Sequence, residues 1–340
     1  MREEIGHMKK ILLIATGGTI VSRMGKNGLV PQIRAEELLQ YVPQCREFCE
    51  VTAMQLMNLD STNMAPRDWE VIARSIREQY AQYDGFVICH GTDTLAFTAA
   101  VLSYMIQSSP KPIVLTGAQK PIDLEITDAR TNLADSLLYA SDPNSSGVVI
   151  VFDGKVIAGT RAKKMRTKSY NAFSSINYPS LAVIREGKIL RYNESKEQGG
   201  PVFYEKLNSK VGVFKLIPGV PSDILDSYFR LFDAVVIESF GAGGIPDAPY
   251  YKFSDIIARW KDAGKILVMC TQVTNEGSDM GVYEVGKGAK SEFGFLETYD
   301  MTLEAAVTKL MWILSFTHDR EQVKKLFYTQ VNHDILYPAQ

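Results

Sequence analysis

Residues 9–20 read KKILLIATGGTI, an apolar run that ends in two threonines and two glycines. The five consecutive apolar residues, 11–15, lie between a pair of lysines and Thr16. Such a short uninterrupted run is typical of a strand buried on both faces of a parallel sheet. It is also shorter than the ~7–15 apolar residues of a secretory signal core. We therefore interpret it as the first buried strand of an α/β domain.

Three further runs repeat this pattern along the first half of the chain. They are residues 86–89, 113–116 and 148–152. Amphipathic segments lie between the runs, one with Pro66 in its first turn, a second over residues 95–106 and a third capped by Thr127. Buried runs that alternate with amphipathic segments predict an α/β fold with a mostly parallel sheet, similar to the Rossmann or flavodoxin type.

A polar segment that ends in two glycines, residues 191–200, interrupts this alternation. The alternation resumes afterwards over a shorter stretch. A chain of 340 residues also favours two domains, because single cores rarely grow beyond ~250–300 residues. We predict a larger N-terminal domain over residues 1–190, a linker over 191–210, and a smaller α/β C-terminal domain over 211–340.

The composition argues against several functional classes. A hydrophobic fraction of 46% and a net charge of −2 describe an ordinary globular protein, so we expect neither nucleic acid nor a membrane as a partner. No stretch approaches the ~20 apolar residues of a membrane span. One local exception is the basic segment, residues 161–168, whose cations favour a solvated or anion-facing loop over a polyanion site.

The cysteines indicate a reducing compartment. Cys45 and Cys49 are one helical turn apart, and they lack the second pair that a zinc site needs. Cys89 and Cys270 each end an apolar run, so we predict that both are buried in strands. Free thiols fit the cytosol. We predict a cytoplasmic protein that uses neither a metal nor another cofactor.

Polar residues follow two of the predicted strands, where open α/β sheets bind ligands. In residues 16–20, TGGTI, the glycines let backbone amides approach a developing negative charge, and the hydroxyls suit a nucleophile or an anion cradle. A purely structural turn is equally compatible with that pattern. Residues 90–94, HGTDT, place Asp93 at a helix start, where capping and the helix dipole stabilise an anion. Taken alone, Asp93 is also compatible with a simple N-cap.

Lys164 lies in the basic segment, after another predicted strand. A lysine beside Asp93 and a hydroxyl can act as a base if desolvation keeps enough of it neutral, whereas the carboxylate favours the charged form. The sequence leaves that balance open. It contains no GxSxG, HExxH or Walker A motif. Among the histidines only His90 lies in a candidate loop, with a structural role favoured, so a histidine-dependent triad is disfavoured.

Together these segments resemble the bacterial-type asparaginases, most closely their cytoplasmic type I branch, over nearly the whole chain. Residues 16–20 match the first family signature, and residues 85–95, GFVICHGTDTL, match the second. Residues 60–69, DSTNMAPRDW, are similar to the family's substrate-holding loop. Further matching blocks are residues 116–119, 131–133, 271–272, 280–283 and 300–305.

The resemblance implies an amidohydrolase that converts L-asparagine to L-aspartate and ammonia. It implies that Thr19 is the nucleophile, and that Thr92, Asp93 and Lys164 form a neighbouring relay for protons. The groups implied to bind the substrate are Gly18, Ser61, Thr62, Thr92, Asp93 and Ala118. The family also implies a homo-oligomer, a dimer or a tetramer, in which one subunit's second domain closes another's site.

Three positions depart from the family pattern. Leu29 stands where many members carry a tyrosine in the loop after the nucleophile, which leaves the deprotonation of Thr19 open. Gly244 ends a loop that often ends in asparagine, and Val21 replaces a small residue. Some type I relatives also carry an aliphatic residue at the position of Leu29, so activity remains compatible with this sequence.

Two alternatives remain open beside an asparaginase with some glutaminase activity. A glutaminase-like subunit of a tRNA-dependent amidotransferase would normally carry an extra N-terminal domain, whereas the first predicted strand here begins within the first dozen residues. A non-catalytic amino-acid binding or sensor protein is motivated by Leu29 and Gly244. Retention of Thr19, Thr92 and the Lys164–Asp93 pair argues against it, because a pure binder has no need of two hydroxyls beside a Lys–Asp pair.

Overall fold

The computed structural model describes residues 8–25, 28–192, 199–246, 248, 250–281 and 293–336. The chain divides into two compact units, Met1–Glu205 and Lys206–Gln340. The larger unit contains a mostly parallel mixed sheet and the smaller unit a parallel one, each with helices. The predicted two-domain α/β fold class is therefore confirmed.

The N-terminal unit contains the following helices and strands. The helices are α1 (Ala35–Leu38), α2 (Pro66–Gln79), α3 (Leu95–Met105) and α4 (Ala129–Ser141). The strands are β1 (Lys9–Gly17), β2 (Ser22–Gly25), β3 (Gly28–Pro31), β4 (Cys49–Leu59), β5 (Gly85–Cys89), β6 (Ile106–Gln107), β7 (Pro112–Thr116), β8 (Gly147–Phe152), β9 (Lys155–Ala158), β10 (Ala162–Lys164), β11 (Phe173–Ser175), β12 (Ala182–Arg185), β13 (Lys188–Arg191) and β14 (Val202–Phe203).

Eight of these strands form the main sheet, in the order β13-β12-β9-β8-β7-β5-β1-β4. The neighbours from β4 to β8 run parallel, and β9, β12 and β13 continue the sheet antiparallel. The four runs predicted as buried strands are β1, β5, β7 and β8, and all four predictions are confirmed. Because β4 and β5 flank β1 in parallel, the segments that follow these three strands emerge side by side.

The helix starts agree with the sequence in one case and differ in another. Pro66 is the first residue of α2, as predicted. The N-cap of α4 is Asp128, not Thr127. The Asp128 carboxylate makes no capping hydrogen bond to the helix, and it accepts instead the backbone amide of Gln119 (2.9 Å) in the preceding loop. Thr127 contributes from one position earlier, where its hydroxyl accepts the backbone amide of Ala129 at 3.0 Å.

Part of the predicted linker, residues 191–210, is regular structure. Arg191 ends β13, and β14 pairs antiparallel with β6. The ring of Phe203 packs edge-on against Tyr80, with 5.3 Å between the centroids. Residues as far as Glu205 thus belong to the N-terminal unit. The predicted domain limits themselves stay a prediction, and residues 193–198 lie outside the described part of the chain.

The C-terminal unit repeats the strand–helix alternation that the sequence predicts. Its strands are β15 (Val211–Lys215), β16 (Ala234–Ser239), β17 (Ile266–Thr271) and β18 (Leu296–Glu297). Its helices are α5 (Ser222–Leu231), α6 (Phe253–Asp262), α7 (Leu303–Ile313) and α8 (Arg320–Tyr328). The strands form a parallel sheet in the order β15-β16-β17-β18.

A fully buried ion pair ties the segment after α8 to α7. The Lys309 ammonium lies 2.6 Å from an Asp334 carboxylate oxygen, with both side chains 0% exposed. Lys309 also donates to the Thr329 carbonyl at 2.7 Å, and Asp334 accepts the Val331 amide at 2.9 Å. Burial lowers the pKa of Lys309, and the neighbouring carboxylate opposes that shift. Removal of either partner would leave the other charge buried without its counter-charge.

We expect Lys309→Met to lower the free energy of unfolding of the C-terminal unit by about 3 kcal/mol, because it removes the compensating charge from the fully buried Asp334 carboxylate. Urea unfolding followed by circular dichroism measures the change. Lys215→Met is the matched control, since Lys215 is 55% exposed in its pair with Glu238, and such a pair contributes only about 0–1 kcal/mol. Equal shifts in the two variants would contradict the prediction, and Lys309→Met/Asp334→Asn should recover part of the loss.

Candidate active site

The segments after β1, β4 and β5 meet at two glycines. Gly18 has a φ of +83°, and a Cβ there would overlap the backbone N and Cα of Gly91. A Cβ on Gly91 would lie 2.5 Å from the Ser61 hydroxyl oxygen. Glycine is therefore required at both positions for the three chain segments to approach one another. The contact brings the predicted TGGTI, DST and HGTDT segments together at one edge of the sheet.

Thr19 begins a single turn of 3₁₀ helix, residues 19–21, directly after this contact. The preceding Gly18 carbonyl accepts the Ser22 hydroxyl at 2.8 Å and the Val21 amide at 3.3 Å. The Gly18 amide donates to the Leu59 carbonyl at 3.1 Å. Thr19 itself is half-buried. Its hydroxyl is thus carried by a short turn whose backbone is held on both sides.

The other threonine of this segment has a structural role. The Thr16 hydroxyl is buried and donates to the Cys89 carbonyl at 2.9 Å, which joins β1 to β5. Of the two hydroxyls that the sequence offers as a nucleophile or an anion cradle, only that of Thr19 lies in the turn beyond the strand.

Lys164 brings the predicted polar relay together. Its ammonium donates to the Thr92 hydroxyl at 2.8 Å and to an Asp93 carboxylate oxygen at 2.6 Å. Lys164 ends β10, where it pairs with Phe173 of β11, so a small hairpin delivers the lysine to the loop after β5. Its side chain is only 18% exposed, whereas that of Asp93 is 57% exposed. The exposed side of the Asp93 carboxylate is open to a further cationic group.

Asp93 does not cap the following helix, which corrects the expectation from sequence. The N-cap of α3 is Thr94, and the Asp93 carboxylate turns instead toward Lys164. The Thr94 hydroxyl donates to the Ser61 carbonyl at 2.8 Å and so fastens the HGTDT loop to the segment after β4.

Ser61 and Thr62 open a short 3₁₀ turn after β4, with the Asp60 carboxylate accepting the Thr62 amide at 3.0 Å. Ser61 is buried against Gly91, and Thr62 is exposed. Ala118 follows β7 and is 1% exposed. The structure thus brings Ser61 to the Gly18–Gly91 contact, while the binding roles of Ser61, Thr62 and Ala118 stay predictions.

Gln119 is a site residue to which the sequence reasoning assigned no role. Its side-chain oxygen accepts the Thr92 hydroxyl at 3.4 Å, and its side-chain nitrogen donates to the Ser169 carbonyl at 3.2 Å. Because a hydroxyl has one proton, Thr92 donates to Gln119 and accepts from Lys164. The position of Gln119 after β7 was the available signal, but its hydrogen-bond partners depend on the tertiary structure.

The basic segment, residues 161–168, is not one continuous cationic surface. Arg161 is 0% exposed and its guanidinium lies 5.5 Å from the Tyr178 ring centroid. Lys164 is engaged at the site, and Arg166 donates to the Asn171 carbonyl at 3.0 Å. The expectation of a solvated or anion-facing loop therefore fails for the buried Arg161 as regards solvation, whereas Lys164 does face an anion, the Asp93 carboxylate.

All four cysteines are free and buried, with Cys89 and Cys270 in strands as predicted. Within the described ranges, no helix has both the length and the apolarity needed to cross a membrane.

Two of the positions that depart from the family pattern lie in described segments. Leu29 lies in β3 opposite Met24 of β2, and Gly244 forms an isolated bridge with Phe240 after β16. Tyr283, part of one matching block, lies outside the described residues.

Two protein-family models match this chain. The Asparaginase, N-terminal model matches residues 10–197, and the Glutaminase/Asparaginase C-terminal domain model matches residues 210–327. With the two-domain α/β fold and the hydroxyl, carboxylate and ammonium groups at its strand ends, these matches define the class as an amidohydrolase.

Individual relatives indicate the family to which this chain belongs within the amidohydrolases. An L-asparaginase of Thermococcus kodakarensis is 38% identical to this chain, over 96% of this chain and 99% of the relative. The solved structure of the thermostable L-asparaginase from that organism has a TM-score of 0.91 at 37% identity, and the match covers 96% of this chain and 99% of that one. One subunit of the glutamyl-tRNA(Gln) amidotransferase of Aeropyrum pernix is 34% identical, over 94% of this chain and 78% of the relative. The chain belongs to the asparaginase family.

Proposed function

We propose that this protein is an L-asparaginase that hydrolyses L-asparagine to L-aspartate and ammonia through a threonine acyl-enzyme. The observation that carries the proposal is the contact of the Lys164 ammonium with both Thr92 and Asp93, at 2.8 and 2.6 Å. Thr92 and Asp93 lie in the loop that touches Gly18, and the proposed nucleophile Thr19 directly follows Gly18. Similarity to an L-asparaginase over nearly the full length of both chains supports the same assignment.

In the proposed first step, the Thr19 hydroxyl oxygen bonds to the side-chain amide carbon of asparagine, and its proton passes through the Thr92 hydroxyl to Lys164, which would act here as the neutral amine. A threonine hydroxyl needs such a base, because it is a poor nucleophile at neutral pH. The tetrahedral oxyanion accepts backbone amides near Gly18 and Thr92, each typically contributing ~3–4 kcal/mol. The amide nitrogen takes up a proton and leaves as ammonia.

In the second step, water attacks the acyl-enzyme and loses a proton to the same relay. The carbon–oxygen bond to Thr19 breaks, the threonine recovers its proton, and aspartate is released. Thr92 and Lys164 are suited to both steps because their hydrogen bond joins a hydroxyl directly to the lysine nitrogen, which takes up a proton as the amine and returns it as the ammonium. Together the two steps consume one asparagine and one water, and they release one aspartate and one ammonia.

Substrate orientation is proposed to come from both charged ends of the amino acid. Asp93 would accept the α-ammonium through its exposed carboxylate face, and Ser61 and Thr62 would bind the α-carboxylate. Anchoring two ends places the amide carbon against Thr19 and lowers the entropic barrier. N-acetyl-asparagine, which lacks the α-ammonium, serves as a test of this arrangement and should be a poor substrate.

We expect kcat/KM for L-asparagine to exceed that for L-glutamine by about 10- to 200-fold, because a pocket discriminates one methylene by only about 1–3 kcal/mol. Ammonia release from each amide, coupled to glutamate dehydrogenase, measures both values. A preference for glutamine would contradict the choice of substrate. Release from neither amide would contradict the proposed reaction.

A second candidate is a glutaminase-like subunit of a tRNA-dependent amidotransferase, favoured by the similarity to the glutamyl-tRNA(Gln) amidotransferase chain. That function predicts ammonia release from glutamine that rises when the partner protein and charged tRNA are added. A non-catalytic amino-acid sensor, in contrast, would bind aspartate or asparagine tightly and release no ammonia from either amide.

We also propose a cytoplasmic location and assembly as a homodimer or homotetramer. Four buried free thiols support the location, and the resemblance to type I asparaginases supports the assembly. Light scattering after size-exclusion chromatography tests the assembly against the 37.9 kDa mass of one chain.

A further inference from the structure

A chain of buried hydrogen bonds runs from α2 to the HGTDT loop. The Trp69 indole nitrogen lies 2.9 Å from the Thr98 hydroxyl oxygen, which lies 3.0 Å from Nε2 of His90. Nδ1 of the same imidazole lies 2.7 Å from the Gly91 carbonyl oxygen. His90 and Thr98 are both 0% exposed, and Trp69 is 6% exposed.

The direction of every bond in this chain follows from its two ends. A carbonyl oxygen only accepts, so Nδ1 of His90 carries the proton, and Nε2 of the neutral ring is the acceptor. The Thr98 hydroxyl must then donate to Nε2, and its oxygen accepts from Trp69, whose indole nitrogen only donates. Burial lowers the pKa of His90 to about 4, so the ring is neutral near neutral pH.

The carbonyl at the end of the chain belongs to the peptide that precedes Thr92. A peptide unit is planar and trans, so the direction of the Gly91 carbonyl fixes the opposite direction of the Thr92 amide. Gly91 is also packed between Gly18 and Ser61, at the meeting point of the three site segments. A rotation of this peptide would change where both the Thr92 amide and the Thr92 side chain point.

We propose that His90 is a positioning residue, which holds the Gly91–Thr92 peptide in the orientation that the reaction requires. It touches no reacting atom and acts through the Thr92 amide and hydroxyl. This role rests on the proposed asparaginase activity. It requires one tautomer of His90, the imidazole with its proton on Nδ1. The indole of Trp69 and the hydroxyl of Thr98 select that tautomer, because together they present only a donor to Nε2.

Two substitutions distinguish the hydrogen bond at Nδ1 of His90 from the hydrogen bond at Nε2. His90→Asn keeps a donor near the position of Nδ1, while His90→Gln keeps a polar group near the position of Nε2 and loses the donor to Gly91. We expect kcat to fall about 100-fold in His90→Gln and less than about 10-fold in His90→Asn, with KM changed less than about 3-fold in both, since misorientation of a site group costs up to about 100-fold. Rates are compared at equal folded fraction, measured by circular dichroism.

A merely structural histidine predicts the same kcat per folded molecule in both variants, and that outcome would overturn the proposal. Failure of the unsubstituted protein to release ammonia would instead overturn the proposed function. An independent measurement is the ring tautomer of His90 by long-range ¹H–¹⁵N correlation NMR. An Nδ1-bound proton in slow exchange is expected, with Trp69→Phe shifting the Nε2 resonance. An Nε2-bound proton would overturn the proposal even if neither substituted protein folds.

Discussion

Thr19→Ala is expected to lower kcat for L-asparagine by about 10,000-fold or more, since loss of a nucleophile removes most of the catalysis that a site provides. The residual rate would come from binding and from the oxyanion donors alone. The fold should survive, because the neighbouring turn is held by backbone groups of Gly18 and by the Ser22 hydroxyl rather than by the Thr19 side chain. Ammonia release and a thermal melt of the same preparation measure the two effects.

Thr16→Val is the matched control for this variant. It removes a hydroxyl from the same segment, but one that donates to the Cys89 carbonyl inside the sheet. We expect a loss of about 1 kcal/mol in stability and a nearly unchanged kcat. Near-normal activity of Thr19→Ala would contradict the nucleophile assignment, and equal losses of kcat in the two variants would point to disruption of the turn instead.

The buried parallel strands could be predicted from sequence because both of their faces are covered. Strands such as β5 and β7 are buried along their whole length, and each therefore appears as an uninterrupted apolar run. The strand β4 flanks β1 at the edge of the sheet and has mixed burial, so its sequence CEVTAMQLMNL lacks both a continuous run and a clean alternation. Short strands such as β10 carry too few residues for any periodicity.

The candidate site, like the sheet, could be predicted from the sequence only in part. The position of a loop after a parallel strand predicts that Gly18 and Gly91 lie at one edge of the sheet, and the structure places them in contact. The contact of Lys164 with Asp93 depends on the β10–β11 hairpin, and no local pattern reports it. In the same way, the partners of Gln119 and His90 are chosen by tertiary packing, because each side chain could satisfy its hydrogen bonds in several ways.

Lys164→Met is expected to lower kcat by about 1,000-fold, within the range of about 100- to 10,000-fold that a positioned proton donor or acceptor contributes. Methionine keeps the length and the apolar stem of lysine, but it removes the donor to the Thr92 hydroxyl and the partner of the Asp93 carboxylate. Lys163→Met is the matched control. It removes a charge from the adjacent position of β10, whose side chain points to the opposite face of the strand.

Two further variants distinguish proton transfer from charge alone. Lys164→Arg keeps the positive charge but cannot release a proton near neutral pH, so it should remain as inactive as Lys164→Met if the lysine transfers protons. Lys164→Ala leaves a space beside Thr92, and added methylamine should then restore part of kcat. A normal kcat for Lys164→Arg would show instead that the ammonium acts only by electrostatic stabilisation, and the proton from Thr19 would need another acceptor. Equal activity of the Lys164→Met and Lys163→Met variants would remove Lys164 from the mechanism.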